Sequence, residues 1–203
     1  KGVCLIDPRS GFGESRIGSK LKILNVRWSI ISNRILHLTD NDMNIYSWDI
    51  RMLNRYMMKR CLTHSCTELF TSSNCDYLIG HGTSSTTIID SFSLKPLNSI
   101  TLNEQSSQHL SYRSCYCEGG NTSMIITPRK NKLYRIEFNQ TMNREDMIVD
   151  SIHHGHSHDC SSIAFDPLLQ RVYSSSAEIV EWKSEQNEDW LDERKGREEE
   201  EWE

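Results

Sequence analysis

A chain of 203 residues, 36% hydrophobic and 25% charged, can bury a core and is too apolar to stay disordered. No run of about 18 apolar residues occurs, so no helical membrane span is expected. The net charge of -5 is unevenly spread. Residues 184–203 hold ten acidic against three basic residues, which leaves the rest of the chain slightly positive.

The chain starts Lys1-Gly2-Val3-Cys4-Leu5-Ile6-Asp7, without a methionine and too soon polar for a secretory signal. It reads as the middle of a longer polypeptide. Seven cysteines, an odd number without framework spacing, favour a reducing compartment. The expected location is intracellular, cytoplasmic or nuclear.

After the first short strand, which ends at Asp7, the polar stretch Asp7–Ser15 reads as a loop. Apolar runs at Leu21–Leu24, Val26–Ile31, Arg34–Thr39 and Asn44–Trp48 predict four strands, split by turns such as Asp40-Asn41-Asp42. Further strands are expected at Tyr56–Leu62, Thr67–Ser72, Tyr77–Gly80 and Thr86–Ile89. The next are Leu97–Leu102, His109–Tyr116, Ser123–Thr127 and Lys132–Phe138. The last are Met147–Ile152, Ser161–Phe165, Arg171–Ser174 and Glu178–Trp182. No helix-period stripe appears before residue 184.

Strands ending in a polar, usually acidic, residue recur. Taking Asp7, Asp49, Asp90, Glu137 and Lys183 as markers, the steps are 42, 41, 47 and 46 residues. A period near 40–45 with four strands per cycle is that of propeller blades. The expected fold is all-β: about four blades of four antiparallel strands plus part of a fifth over residues 1–184. Residues 185–203 would form a short acidic tail, helical or disordered.

The last cycle resembles a WD40 repeat, with Gly155-His156, then Ser161–Pro167, then Arg171–Ser176, then Trp182. The cycle ending Trp48-Asp49 is similar, with Asp42 six residues before the tryptophan. In that family an aspartate, a histidine, a serine and the tryptophan form a hydrogen-bonded tetrad. The resemblance implies that Asp42, Trp48, Asp49, His156 and Trp182 are structural blade residues. The middle cycles rest on periodicity instead: Asp90 and Glu137 follow isoleucine.

Three groups of residues could carry chemistry. His153–Cys160 has the imidazole and thiol density of a metal site, yet it also fits a loop in which His156 belongs to the repeat. Cys115 and Cys117, two apart on a strand, could chelate or pack in a core. The cations Arg129, Lys130, Lys132 and Arg135 could meet RNA phosphates or form a solvated edge. No nucleophile elbow, phosphate loop or dinucleotide fingerprint occurs, so no catalytic residue, cofactor or small-molecule substrate is assigned.

Asp7-Pro8-Arg9 and Asp49-Ile50-Arg51, the latter after Trp48, resemble the Trp-Asp-x-Arg box of cullin-4 ubiquitin-ligase substrate receptors. That resemblance implies partner contacts through Arg9 and Arg51. Through Trp48-Asp49, Tyr77-Leu78-Ile79-Gly80-His81-Gly82 and Ile88-Ile89-Asp90, residues 45–94 also resemble propeller subunits of the small-subunit ribosome-assembly particle. Trp190 and Trp202 in the tail are further candidate anchors for a partner. The leading expectation is a non-catalytic scaffold contacting other proteins of a complex. An RNA-associated assembly subunit and a ubiquitin-ligase receptor are the alternatives.

Overall fold

The computed structural model describes residues 2–6, 9, 14–18, 20–52, 54–102, 113–119, 122–139, 148–154, 156–169 and 171–183. All the regular structure among them is β. Because no described helix exists, none is long and apolar enough to cross a membrane.

The strands are β1 (Val3–Ile6), β2 (Glu14–Ile17), β3 (Ile23–Trp28), β4 (Ile35–Asp40), β5 (Asn44–Asp49), β6 (Met58–Cys61), β7 (Glu68–Thr71), β8 (Tyr77–His81) and β9 (Ser85–Asp90). They continue with β10 (Pro96–Thr101), β11 (Cys115–Gly119), β12 (Thr122–Arg129), β13 (Lys132–Asn139), β14 (Ile148–His154), β15 (Ser162–Asp166), β16 (Arg171–Ser175) and β17 (Ile179–Trp182). They form the hairpin β1-β2, three four-stranded sheets (β3-β4-β5-β6, β7-β8-β9-β10 and β11-β12-β13-β14) and the three-stranded sheet β15-β16-β17. Every pairing with a resolved register is antiparallel. The antiparallel, all-β reading of the sequence therefore holds for the described residues.

Three differences from the sequence reading have physical causes. First, the expected strands Leu21–Leu24 and Val26–Ile31 are a single strand, β3. A register shift between Ile23 and Asn25 breaks the alternation there and makes one bulged strand look like two. Second, the polar stretch before Ser15 is not loop throughout, because Glu14 and Ser15 lie in β2. That strand is held by backbone pairing with β1 and by Ile17, which is fully buried.

Third, the sheets are offset from the sequence cycles by one strand. Markers Asp49 and Asp90 close the third strand of their sheets, β5 and β9, and the fourth strands β6 and β10 come from the following cycle. Each cycle is thereby tied into two sheets.

The chain divides into two compact units: residues 1–106 with 139–147, and residues 107–138 with 148–203. In the first unit, β1-β2 covers one face of the β3–β6 sheet, burying Ile17, Leu36, Leu38, Tyr46 and Trp48. The other face meets the β7–β10 sheet around Ile45, Leu62, Leu69, Leu78 and Ile89. Inner strands are stitched by Arg27 Nε donating to Leu69 O at 2.6 Å and Asn25 Nδ2 to Thr67 O at 3.1 Å. In the second unit the β11–β14 and β15–β17 sheets bury Cys115, Cys117, Ile126, Leu133, Cys160 and Ile163 between them.

Candidate functional site

Alternation along a strand sends every second side chain into a sheet-to-sheet contact. A polar group carried there needs a partner. In the terminal sheet a histidine, two serines and a tryptophan satisfy one another. Trp182 Nε1 donates to Ser174 Oγ at 2.7 Å, and the same oxygen lies 2.6 Å from His156 Nε2. His156 Nδ1 lies 3.1 Å from Ser176 Oγ. His156 and Ser174 are both buried.

An indole N–H can only donate. With the imidazole neutral and protonated on Nδ1, Ser174 donates to Nε2 and Nδ1 donates to Ser176, so every group in the relay is satisfied. The relay ties the segment before β15 to β16 and β17. Ser176 stands six residues before Trp182, at the spacing that Asp42 keeps from Trp48. Replacing Ser174 by alanine strands the indole N–H and one imidazole nitrogen. The expected loss is about 2–3 kcal/mol of stability in chemical denaturation.

The arrangement around Trp48 departs from the sequence reading. Asp42 is exposed, and Trp48 Nε1 donates to Met52 O at 2.7 Å rather than to the Asp42 carboxylate. Asp40, at the end of β4, is the buried acid. It accepts from the Asp42 and Asn44 amides, from Asn44 Nδ2 and, at 2.7 Å, from Tyr46 Oη. Burial alone would raise its pKa, but these donors outweigh it and hold the carboxyl below its usual value.

Asp49 grips Arg51 through the Arg51 amide and through both Nε and Nη2 of the guanidinium. These hydrogen bonds push the Asp49 carboxyl down to about 2. The Arg51 side chain remains 63% exposed, so the paired guanidinium is presented outward. Arg9 is exposed, while Asp7 lies outside the described residues.

The other candidate groups are placed as follows. His156 is engaged in the relay and Cys160 is fully buried, its Sγ 3.7 Å from Ser162 O. Ser157, His158 and Asp159 are exposed, and the side chains of His153 and His154 lie outside those described. Cys115 and Cys117 are buried with their sulfurs 3.9 Å apart. The bond to Cys115, together with burial, raises the Cys117 pKa and keeps that thiol neutral. Among the described residues no three His, Cys, Asp or Glu side chains converge as metal ligands.

Of the four cations, Lys130 is exposed in the β12–β13 turn. Arg135 lies within β13, its Nε 3.8 Å from Glu137. The Arg129 side chain, and Trp190 and Trp202 in the tail, lie outside the described residues.

A feature that the sequence reading missed is a set of exposed apolar turn residues. The turns leaving β3 and β9 sit at the same end of their sheets, because each follows a strand running in the same direction. They carry Ile30, Ile31 and Phe92, exposed at 62%, 55% and 67%. In the second unit the turn after β15 carries Leu168 and Leu169, also exposed.

No protein-family model matches the chain. No curated protein matches it either. Among solved structures, 844 chains match it. One of them is the computationally designed Ika4 protein, with a TM-score of 0.56 over 81% of this chain and 92% of that one. At 13% identity this likeness concerns the fold alone.

Proposed function

We propose that the chain is a stretch of WD40-like β-propeller blades working as a non-catalytic scaffold for protein partners. The observation that carries the blade reading is the His156–Ser174–Trp182 relay, which joins the residue types of the WD40 tetrad in the last sheet. Ser176 stands where that family keeps an aspartate. The marker period and the four-stranded antiparallel sheets support the same reading. In it, the polar residues of the last cycle hold strands together and the turns provide the contact surface.

Ile30, Ile31 and Phe92 are large apolar side chains on turns, at one end of adjoining sheets. Exposed apolar turn residues are suited to a protein interface. The variants Ile30→Asp and Phe92→Asp should leave thermal unfolding within a few degrees of the parent. Both should deplete at least one partner when the tagged chain is recovered from its native cells and analysed by mass spectrometry. An unchanged partner set with both variants would contradict this choice of surface.

One observation favours a narrower version. Arg51 follows Trp48-Asp49-Ile50, is oriented by Asp49 and stays exposed, as an arginine serving a cullin-4 adaptor would be. Loss of the adaptor from the recovered complex on Arg51→Ala would support it. Absence of the adaptor from the parent complex would remove it. Intracellular residence, in cytoplasm or nucleus, belongs to the same proposal.

A further inference from the structure

Three sulfur-bearing side chains of the second unit share one face of one sheet. Cys115 and Cys117 are two apart on β11, so they point the same way, and their sulfurs lie 3.9 Å apart. Met124 on β12 is the cross-strand partner of Cys117. It packs against the apolar cluster that holds both cysteines, between the β11–β14 and β15–β17 sheets. The two cysteines are 8% and 2% exposed, whereas Met124 is only half-buried and gives the place an approach from solvent.

A disulfide suits this pair poorly. Residues two apart on a strand are separated by about 6.6 Å, at the upper limit of the span that a disulfide bridges. A metal ion fits better. Two metal–sulfur bonds of about 2.3 Å close the 3.9 Å gap with an angle of about 115° at the metal, close to that of three ligands in a plane. Zinc takes four ligands, and among the described residues no third His, Cys, Asp or Glu joins the pair. Thiol and thioether sulfurs together select monovalent copper.

We infer that Cys115, Cys117 and Met124 form a binding site for one copper(I) ion. The ion displaces one thiol proton, which leaves to solvent. One thiolate, one thiol and one thioether around a monovalent cation leave the site uncharged. An apolar surrounding, which opposes a bare charge, therefore does not oppose the bound ion. Cys160 belongs to the same cluster, but its sulfur lies 3.7 Å from Ser162 O and it is not counted among the ligands. The site is independent of the scaffold reading, since it requires only the second unit.

The test is an anaerobic titration of the reduced full chain, without a histidine tag, with copper(I) against the colorimetric chelator bicinchoninate. The exposed Cys4 and Cys61 are changed to serine in every sample, so that surface thiols take no copper. One ion per chain should be held, and X-ray absorption should find only sulfur around it. Cys117→Ala should abolish the uptake. Met124→Leu conserves volume and should keep the thermal midpoint within a few degrees. It should still weaken the affinity by at least about tenfold, the least that losing even an outer partner of a metal ligand costs. Because Met124→Leu keeps the fold, the outcome stands even where Cys117→Ala lowers stability. A chain that holds no copper overturns the proposal, as do nitrogen neighbours around the copper or a Met124→Leu variant that binds as tightly as the parent.

Discussion

Replacing Trp48 by alanine is expected to remove about 3–5 kcal/mol from the first unit, the range of large aromatic truncations in a core. The indole is 4% exposed and packs with Leu36, Leu38 and Tyr46 beneath the β1-β2 hairpin. It also meets the Tyr56 ring edge-on at 6.0 Å. Its N–H donates to Met52 O, closing the turn after β5, so truncation leaves a cavity and removes that carbonyl's donor. Urea unfolding followed by far-ultraviolet circular dichroism should show the midpoint falling sharply. An unchanged midpoint with a lost binding partner would make Trp48 a contact residue and undo the packing described for this sheet.

The second large effect is a dependence of stability on pH arising from His37. This side chain is 4% exposed in β4, opposite Arg27 and Ser47, and its Nδ1 has no hydrogen-bond partner among the described residues. Burial pushes its pKa down from 6.5 to about 4. The unfolded chain takes up a proton near pH 6.5 and the folded chain only near pH 4, so protonation favours unfolding between those values. The stability that this group contributes is complete above about pH 6.5 and is lost as pH falls through that window. The loss is about 3 kcal/mol by pH 4. His64, also lowered by burial, acts in the same direction. The carboxyls of Asp40, Asp49 and Asp90, held below their usual values, are lost at more acidic pH. Urea midpoints at several pH values, compared between the parent and His37→Leu, isolate the His37 part. Parallel curves for the two proteins would contradict it.

Much of this architecture is legible in the sequence because alternation and turn residues mark short strands, and the markers give their period. Where the sequence misleads, the cause is local. Glu14–Ile17 shows no alternation because one buried residue, Ile17, and its pairing with β1 define the strand. The bulge near Ile23 divides β3 on paper but not in space. Counting six residues back from Trp48 selects Asp42. The hairpin turns at 41–43, with Met43 at a φ of 60°, which folds the amides of Asp42 and Asn44 back onto Asp40. In the last sheet His156 and Trp182 are singled out by the sequence, whereas Ser174 and Ser176, which join them in the relay, carry no motif that marks them. The burial of His37 has no sequence signature, since a histidine among alternating residues is read as polar until its neighbouring sheet is known.

The offset of sheets against sequence cycles is what makes consecutive cycles interlock, and the blade proposal depends on it. Cross-strand proton contacts in the nuclear Overhauser spectrum of the isotope-labelled chain test it most directly, because antiparallel partners bring backbone protons close. The account predicts contacts across Ile45–Arg60 and Ser47–Met58, and across Thr87–Ser99 in the next sheet. Contacts placing residues 58–61 beside 68–71 instead, with none to 44–47, would contradict it.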